Sequence, residues 1–122
     1  MAKTDSFQAT FETLRDILKP YERHFDVHTD TPKAYHLYCK TARTRSGFPI
    51  AFGGVEMRKN YVSFHLIPVY GNAALREGLS QSLRKRMQGK SCFNFTAIDP
   101  AHVEELAAVT KKGFAGFIKK FP

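Results

Sequence analysis

Two apolar runs, Ile50–Met57 and Tyr61–Tyr70, stand three residues apart, with Arg58, Lys59 and Asn60 between them. So short a separation joins neighbouring antiparallel strands, and it predicts a β-hairpin with a polar, basic tip. Both runs are apolar at nearly every position rather than at every second one. That pattern calls for cover on both faces over part of their length. In a chain of 122 residues, the flanking segments have to provide it. Gly53 and Gly54 interrupt the first run, and glycine inside a strand marks a bulge or a close backbone approach.

The flanks read mainly as helices. Phe7, Phe11, Leu14, Ile17, Leu18 and Tyr21 recur at helical spacing, behind Asp5 and Ser6 as N-caps. Pro20 ends or kinks that helix. His24–Lys33 is polar, holds Pro32 and reads as a loop. Tyr35–Lys40 predicts a short strand, and Thr41–Pro49 has the composition of a turn. Gly71–Gly78 reads as a loop with one helical turn. Ser80 then caps a short basic helix, Gln81–Gln88, stopped by Gly89. Ser91–Ala97 predicts a further strand. Asp99 followed by Pro100 is a strong helix start. From there Val103, Leu106, Ala107, Thr110, Phe114, Phe117, Ile118 and Phe121 mark one face of a long C-terminal helix. Glu104 and Glu105 near its start and Lys119 and Lys120 near its end suit the helix dipole. The expected fold is one α+β domain over residues 1–122. A mainly antiparallel sheet of about four strands is covered by an N-terminal helix, a short basic helix and a long C-terminal helix.

Composition narrows the function classes. Apolar residues make up 43%, with 11 Phe and 5 Tyr, as in an ordinary globular protein. No run is long and apolar enough to span a membrane, and MAKTDSFQAT lacks the apolar stretch of an export signal. Cys39 and Cys92 form no CxxC pair, and reduced thiols in the cytoplasm are the expectation. The net charge is +8 and unevenly placed. Residues 31–98 hold 11 cations and only Glu56 and Glu77 as acids. A concentrated positive field favours phosphate groups, nucleic acid or acidic protein surfaces.

Three groups of side chains are candidate sites. Arg84, Lys85, Arg86 and Lys90 are the densest cations, and Arg58 and Lys59 at the hairpin tip join them if the fold brings the two together. They suit a phosphate or a nucleic-acid backbone. On a helix Arg84, Lys85 and Arg86 step by about 100° each and fan apart, as a solvated face would. His24, Asp26, His28 and Asp30 alternate, so an extended segment points all four to one side as a metal cluster; a polar loop leaves them solvated. His65 shares a strand face with Tyr61, Ser63 and Ile67, either lining a small-molecule pocket or paired with a core hydroxyl of Tyr35 or Tyr38. Cys92, beside Lys90, is either a reactive thiol or a small apolar residue among phenylalanines. No nucleophile, base and acid stand at recognisable spacing, so an enzyme is not expected.

Three pieces in order resemble one family: DTPKAYHL at Asp30–Leu37, FGGVEMRKNYVSFHLIPVYG at Phe52–Gly71, and LRKRMQGKSCFNF at Leu83–Phe95. Together they are similar to the YdhG-like proteins, a bacterial family filed as a domain of unknown function. The resemblance implies a compact α+β fold. Some members are described as frataxin-like iron chaperones, which implies iron as cargo. Iron on a surface needs carboxylate or imidazole donors, whereas this chain has 11 acids against 19 cations and no acidic cluster. The expected function is therefore a non-enzymatic binding protein for a small ligand, a metal or an anion. The alternative is a nucleic-acid or phosphate-binding accessory module.

Overall fold

The computed structural model describes residues 3–89, 92–97 and 99–121, the side chains of residues 3–6 and 71 excepted. Helix α1 (Lys3–Leu18) runs into a 3-10 helix, Lys19–His24, at Pro20. Four strands follow: β1 (Asp26–Thr31), β2 (Ala34–Arg43), β3 (Pro49–Met57) and β4 (Val62–Leu66). Three short helices come next, α2 (Ile67–Gly71), α3 (Ala73–Glu77) and α4 (Gln81–Arg84). Strands β5 (Met87–Gln88) and β6 (Cys92–Phe95) and the long α5 (Pro100–Lys120) complete the chain. The sheet order is β1-β2-β3-β4-β6-β5, with every neighbouring pair antiparallel.

The architecture is α+β, but the sheet has six strands rather than about four. The first extra strand is β1, inside the segment expected to be a loop. Pro32 and Lys33 form the turn of a tight β1–β2 hairpin, closed by the Thr31–Ala34 pair. Thr31 Oγ1 accepts the backbone N–H groups of Lys33 and Ala34 at 3.2 and 3.0 Å, which pins the turn. The second extra strand is β5, cut from the expected Gln81–Gln88 helix. That helix stops at Arg84, and Gly89, at φ +79°, follows β5. Two further boundaries move. The run Tyr61–Tyr70 leaves the sheet after Leu66 and turns helical, with Pro68 in the first turn, where a missing N–H costs nothing. Helix α1 begins at Lys3, ahead of Asp5 and Ser6. The Ser80 and Asp99 caps form as expected, accepting from the N–H groups of Leu83 and Ala101.

Strand alternation builds the core. Tyr35, Val55, Phe64 and Phe93 stand in register across β2, β3, β4 and β6, all fully buried. Phe11, Leu14 and Leu18 from α1 and Leu106, Val109 and Phe117 from α5 belong to the same apolar cluster. Each large side chain buried this way stabilises the fold by roughly 1.5–3 kcal/mol. Between Leu37 and Tyr38 the β2–β3 register slips, so Phe52 is the extra residue of a bulge. Its ring stacks on Phe25 at 4.5 Å and meets Phe117 edge-on. Gly53 lets α1 approach, since a Cβ there would lie 3.2 Å from Cδ2 of Leu18. The Tyr35 hydroxyl donates to Glu22 Oε1 at 2.8 Å, and burial, with that carboxylate second, pushes its pKa far up.

Candidate functional site

The same alternation sends a second set of side chains to the face turned away from α1 and α5. His36, Gly54, His65 and Cys92 lie in one register row, and Ala34, Glu56, Ser63 and Asn94 in the next. The ring of His36 lies across Gly54, where any Cβ would overlap its Nδ1. This brings Nε2 of His36 to 3.0 Å from Glu56 Oε1. Arg58 holds the other oxygen, Oε2, at 2.7 Å. Further along, Ser63 Oγ donates to Asn94 Oδ1 and Asn94 Nδ2 donates to Gln88 Oε1, both at 2.7 Å. The Cys92 thiol lies 3.5 Å from Asn94 Oδ1 and 3.9 Å from His65 Nε2.

That outer face is polar but not activated. Burial lowers the His65 pKa, with Glu56 opposing it and His36 and Arg58 adding to it. Burial also raises the Cys92 pKa. A neutral thiol beside a neutral imidazole is not a primed nucleophile. Phe93 and Phe95 take the core side, which leaves Cys92 half-buried on the other. Among the described residues His65 has no tyrosine hydroxyl for a partner: Tyr35 faces inward to Glu22, Tyr38 packs on His28, and the neighbour of His65 is Cys92. His36, Glu56 and Asn94, which complete this face, were not singled out from the sequence. The signal for them was the hairpin register, which sets a glycine opposite His65 and leaves room for the ring from β2.

The cations sort into two kinds. Arg84 is occupied by structure: its guanidinium donates to the carbonyls of Arg76 and Glu77 at 3.1 and 2.8 Å and closes the end of α3. Lys85 and Arg86 are exposed and make no side-chain hydrogen bond or ion pair among the described residues. Lys90 lies outside the described residues. The fold gathers the remaining candidates at one end of the sheet. Arg58 donates its backbone N–H to the Tyr61 carbonyl across the β3–β4 turn, and Lys59 sits at the tip. Lys33 is beside them, its carbonyl accepting from Met57 N at 2.7 Å. Val62 pairs with Phe95, and the Arg86 carbonyl accepts from Asn94 N at 2.8 Å, so Lys85 and Arg86 enter β5 at the same end. From β2 to β5 is four strand spacings, so Lys33, Arg58, Lys59, Lys85 and Arg86 form a row roughly 19 Å long. Arg43, the last residue of β2, and Arg45, in the β2–β3 turn, lie at the opposite end.

The four residues of the proposed metal cluster do not converge. His24 is in the 3-10 helix, with its ring 4.9 Å from Phe114. A bulge between Val27 and Thr29 breaks the alternation that was to align the rest. His28 packs on Tyr38 at 4.8 Å, Asp26 stands opposite Tyr38, and Asp30 stands opposite Tyr35. Among the described residues, no three His, Cys, Asp or Glu side chains are grouped to hold a metal ion. Also among them, no helix is long and apolar enough to cross a membrane. No family model, no curated protein and no solved structure matches the chain.

Proposed function

We propose that this is a non-enzymatic binding protein whose partner carries a phosphate backbone, laid along the basic end of the sheet. The observation that supports it is the row of Lys33, Arg58, Lys59, Lys85 and Arg86, collected from three separate stretches of sequence by the antiparallel register. Of the acids at that end, Glu56 is engaged by His36 and Arg58, and Asp30 stands on β1 opposite Tyr35, close to the turn that carries Lys33. Phosphate contacts of this kind position a backbone and carry no base code. No observation favours the iron cargo that the YdhG-like resemblance implies, so the reading rests on the cations alone.

Fluorescence anisotropy of a short labelled single-stranded oligonucleotide, titrated across salt concentrations, tests the reading. Each neutralised phosphate contributes a slope of about −0.7 to log K against log salt, so three to four contacts give about −2 to −3. Replacing Lys85→Gln together with Arg86→Gln flattens the slope by about 1.4 and weakens binding roughly 50-fold at ~50 mM salt. Lys111→Gln with Lys112→Gln, on α5, is the control and leaves both unchanged. Absence of binding at low salt, or an equal effect of the control pair, refutes the reading. Competition by inorganic polyphosphate as strong as by the oligonucleotide shows that the backbone alone is recognised.

A further inference from the structure

At the other end of the sheet the structure holds a second candidate site. Helices α2 and α3 lie against the C-terminal half of α5, and a cleft of about 380 Å³ opens between them. Its walls are apolar: Ile50, Ile67, Pro68, Leu75, Phe117 and Phe121. The volume falls at the lower end of the range for small-molecule sites. Two glycines of α5 shape it. Gly113 is the pinned side, where a Cβ would stand 2.8 Å from Cβ of Pro68. Gly116, one turn on, is the open side, where a Cβ would meet nothing within 4 Å. Bare backbone there makes the room that a side chain would fill. The facing wall is fixed, because the Arg76 guanidinium donates to the carbonyls of Val69 and Tyr70 at 2.8 and 2.6 Å and ties down the end of α2.

The polar groups at the rim are chemically one-sided. Asn72 Oδ1 already accepts from the backbone N–H groups of Ala74 and Leu75 at 3.0 and 3.4 Å, so only its amide protons remain to be offered. Lys120 lies 5.5 Å over the ring of Phe121, itself a wall of the cleft, and has no ion pair among the described residues. Among the described residues, no carboxylate lines the cleft. The rim thus offers one cation and one amide donor, beside the Tyr70 hydroxyl, to a ligand whose body is apolar. We propose that the cleft binds an amphipathic monocarboxylate, with its alkyl or aryl chain along Gly116 and its carboxylate at Lys120 and Asn72.

The test uses octanoate and octan-1-ol as probes, followed by titration calorimetry and by amide shifts of α5 in the full chain. Octanoate binds up to about fivefold more tightly than the alcohol, as a charge-assisted pair at an exposed rim allows. Lys120→Gln brings octanoate down to the affinity of the alcohol and leaves the alcohol unchanged. Gly116→Leu fills the cleft and abolishes binding of both. That variant is expected to keep its fold, since nothing lies within 4 Å of the new Cβ, and circular dichroism verifies it. Equal affinity of octanoate and octanol overturns the carboxylate assignment. Failure of both probes to shift α5 amides, or octanoate binding that survives Gly116→Leu, overturns the cleft as a ligand site.

Discussion

Gly113 and Gly116 lie one turn apart on α5, and their replacement by alanine has opposite consequences. In a helix interior, Ala is favoured over Gly by about 1 kcal/mol, since the unfolded glycine has more conformational freedom to lose. At Gly116 nothing lies within 4 Å of the new Cβ, so most of that gain is kept. The expected effect of Gly116→Ala is stabilisation by about 0.5–1 kcal/mol. At Gly113 the new Cβ would stand 2.8 Å from Cβ of Pro68 and 3.6 Å from Cδ1 of Leu75. Pro68 is a buried, rigid ring in the first turn of α2, so the helix itself must retreat. Overpacking of that kind costs about 1–3 kcal/mol, which exceeds the propensity gain or cancels it. The two variants should therefore differ by about 1–3 kcal/mol. In thermal melts that separates them by roughly 4–12 °C in a domain of this size. Urea unfolding at constant m-value gives the same ordering in free energy. If Gly113→Ala melts at or above Gly116→Ala, the packing of α2 on α5 described above is wrong.

Three other substitutions probe the sheet and its two faces. Gly54→Ala drives the His36 ring from its seat over β3 and breaks the 3.0 Å contact with Glu56; loss of the His36–Glu56 proximity in NMR, with destabilisation of about 1–3 kcal/mol, is the expected result, and an undisturbed ring counts against the register. His65 has a folded pKa below its unfolded value, so its contribution to stability is complete above about pH 6.5 and lost as pH falls. The loss stays under about 1 kcal/mol because the ring is only half-buried, and in His65→Gln the acid-side decline in urea midpoint becomes shallower; an unchanged decline refutes the assignment. Tyr35 is the converse: its folded pKa is raised, so its contribution is complete below about pH 10 and lost as pH rises beyond it. Tyr35→Phe gives up the bond to Glu22, about 1.5–3 kcal/mol at neutral pH, and lessens the alkaline decline; equal declines above pH 10 in both proteins would contradict it.

The elements that the sequence makes legible are those whose burial leaves a pattern. The β3–β4 hairpin is marked by two unbroken apolar runs, and α5 by its cap and its apolar stripe. β1 leaves no such mark, because an edge strand exposed along most of its length carries no apolar alternation. β5 is two residues long, and its Met87 and Gln88 continue a helical spacing as easily as they start a strand. The end of β4 is hidden for the opposite reason. Ile67, Pro68 and Val69 are as apolar as the strand before them, and only the ring of Pro68 hints that the ladder stops. The basic row was half legible. Its members are visible as cations, but Lys33 joins Lys85 only through the register of four strand pairs, and that register depends on a β5 that the sequence conceals.

Gly53 and Gly54 show why one short motif carries two explanations at once. The sequence offers a bulge or a close approach for the pair, and the structure uses both. The bulge at Phe52 turns that ring inward together with Gly53, so two consecutive residues face α1. A Cβ at Gly53 would be tightly held, 3.2 Å from Cδ2 of Leu18 and 3.0 Å from the His65 carbonyl. The next residue then faces outward, opposite His65, and its missing Cβ is the seat of His36. Helix docking on one face and the His36–Glu56–Arg58 arrangement on the other are thus set by adjacent positions of one strand. A Cβ at Gly53 presses on the His65 carbonyl of β4 and on Leu18 of α1, whereas one at Gly54 meets the His36 ring and the Tyr35 carbonyl of β2. Both glycines therefore serve the stability of the fold, the inner one through the docking of α1 and the outer one through the seat of His36 on the face beside the basic row.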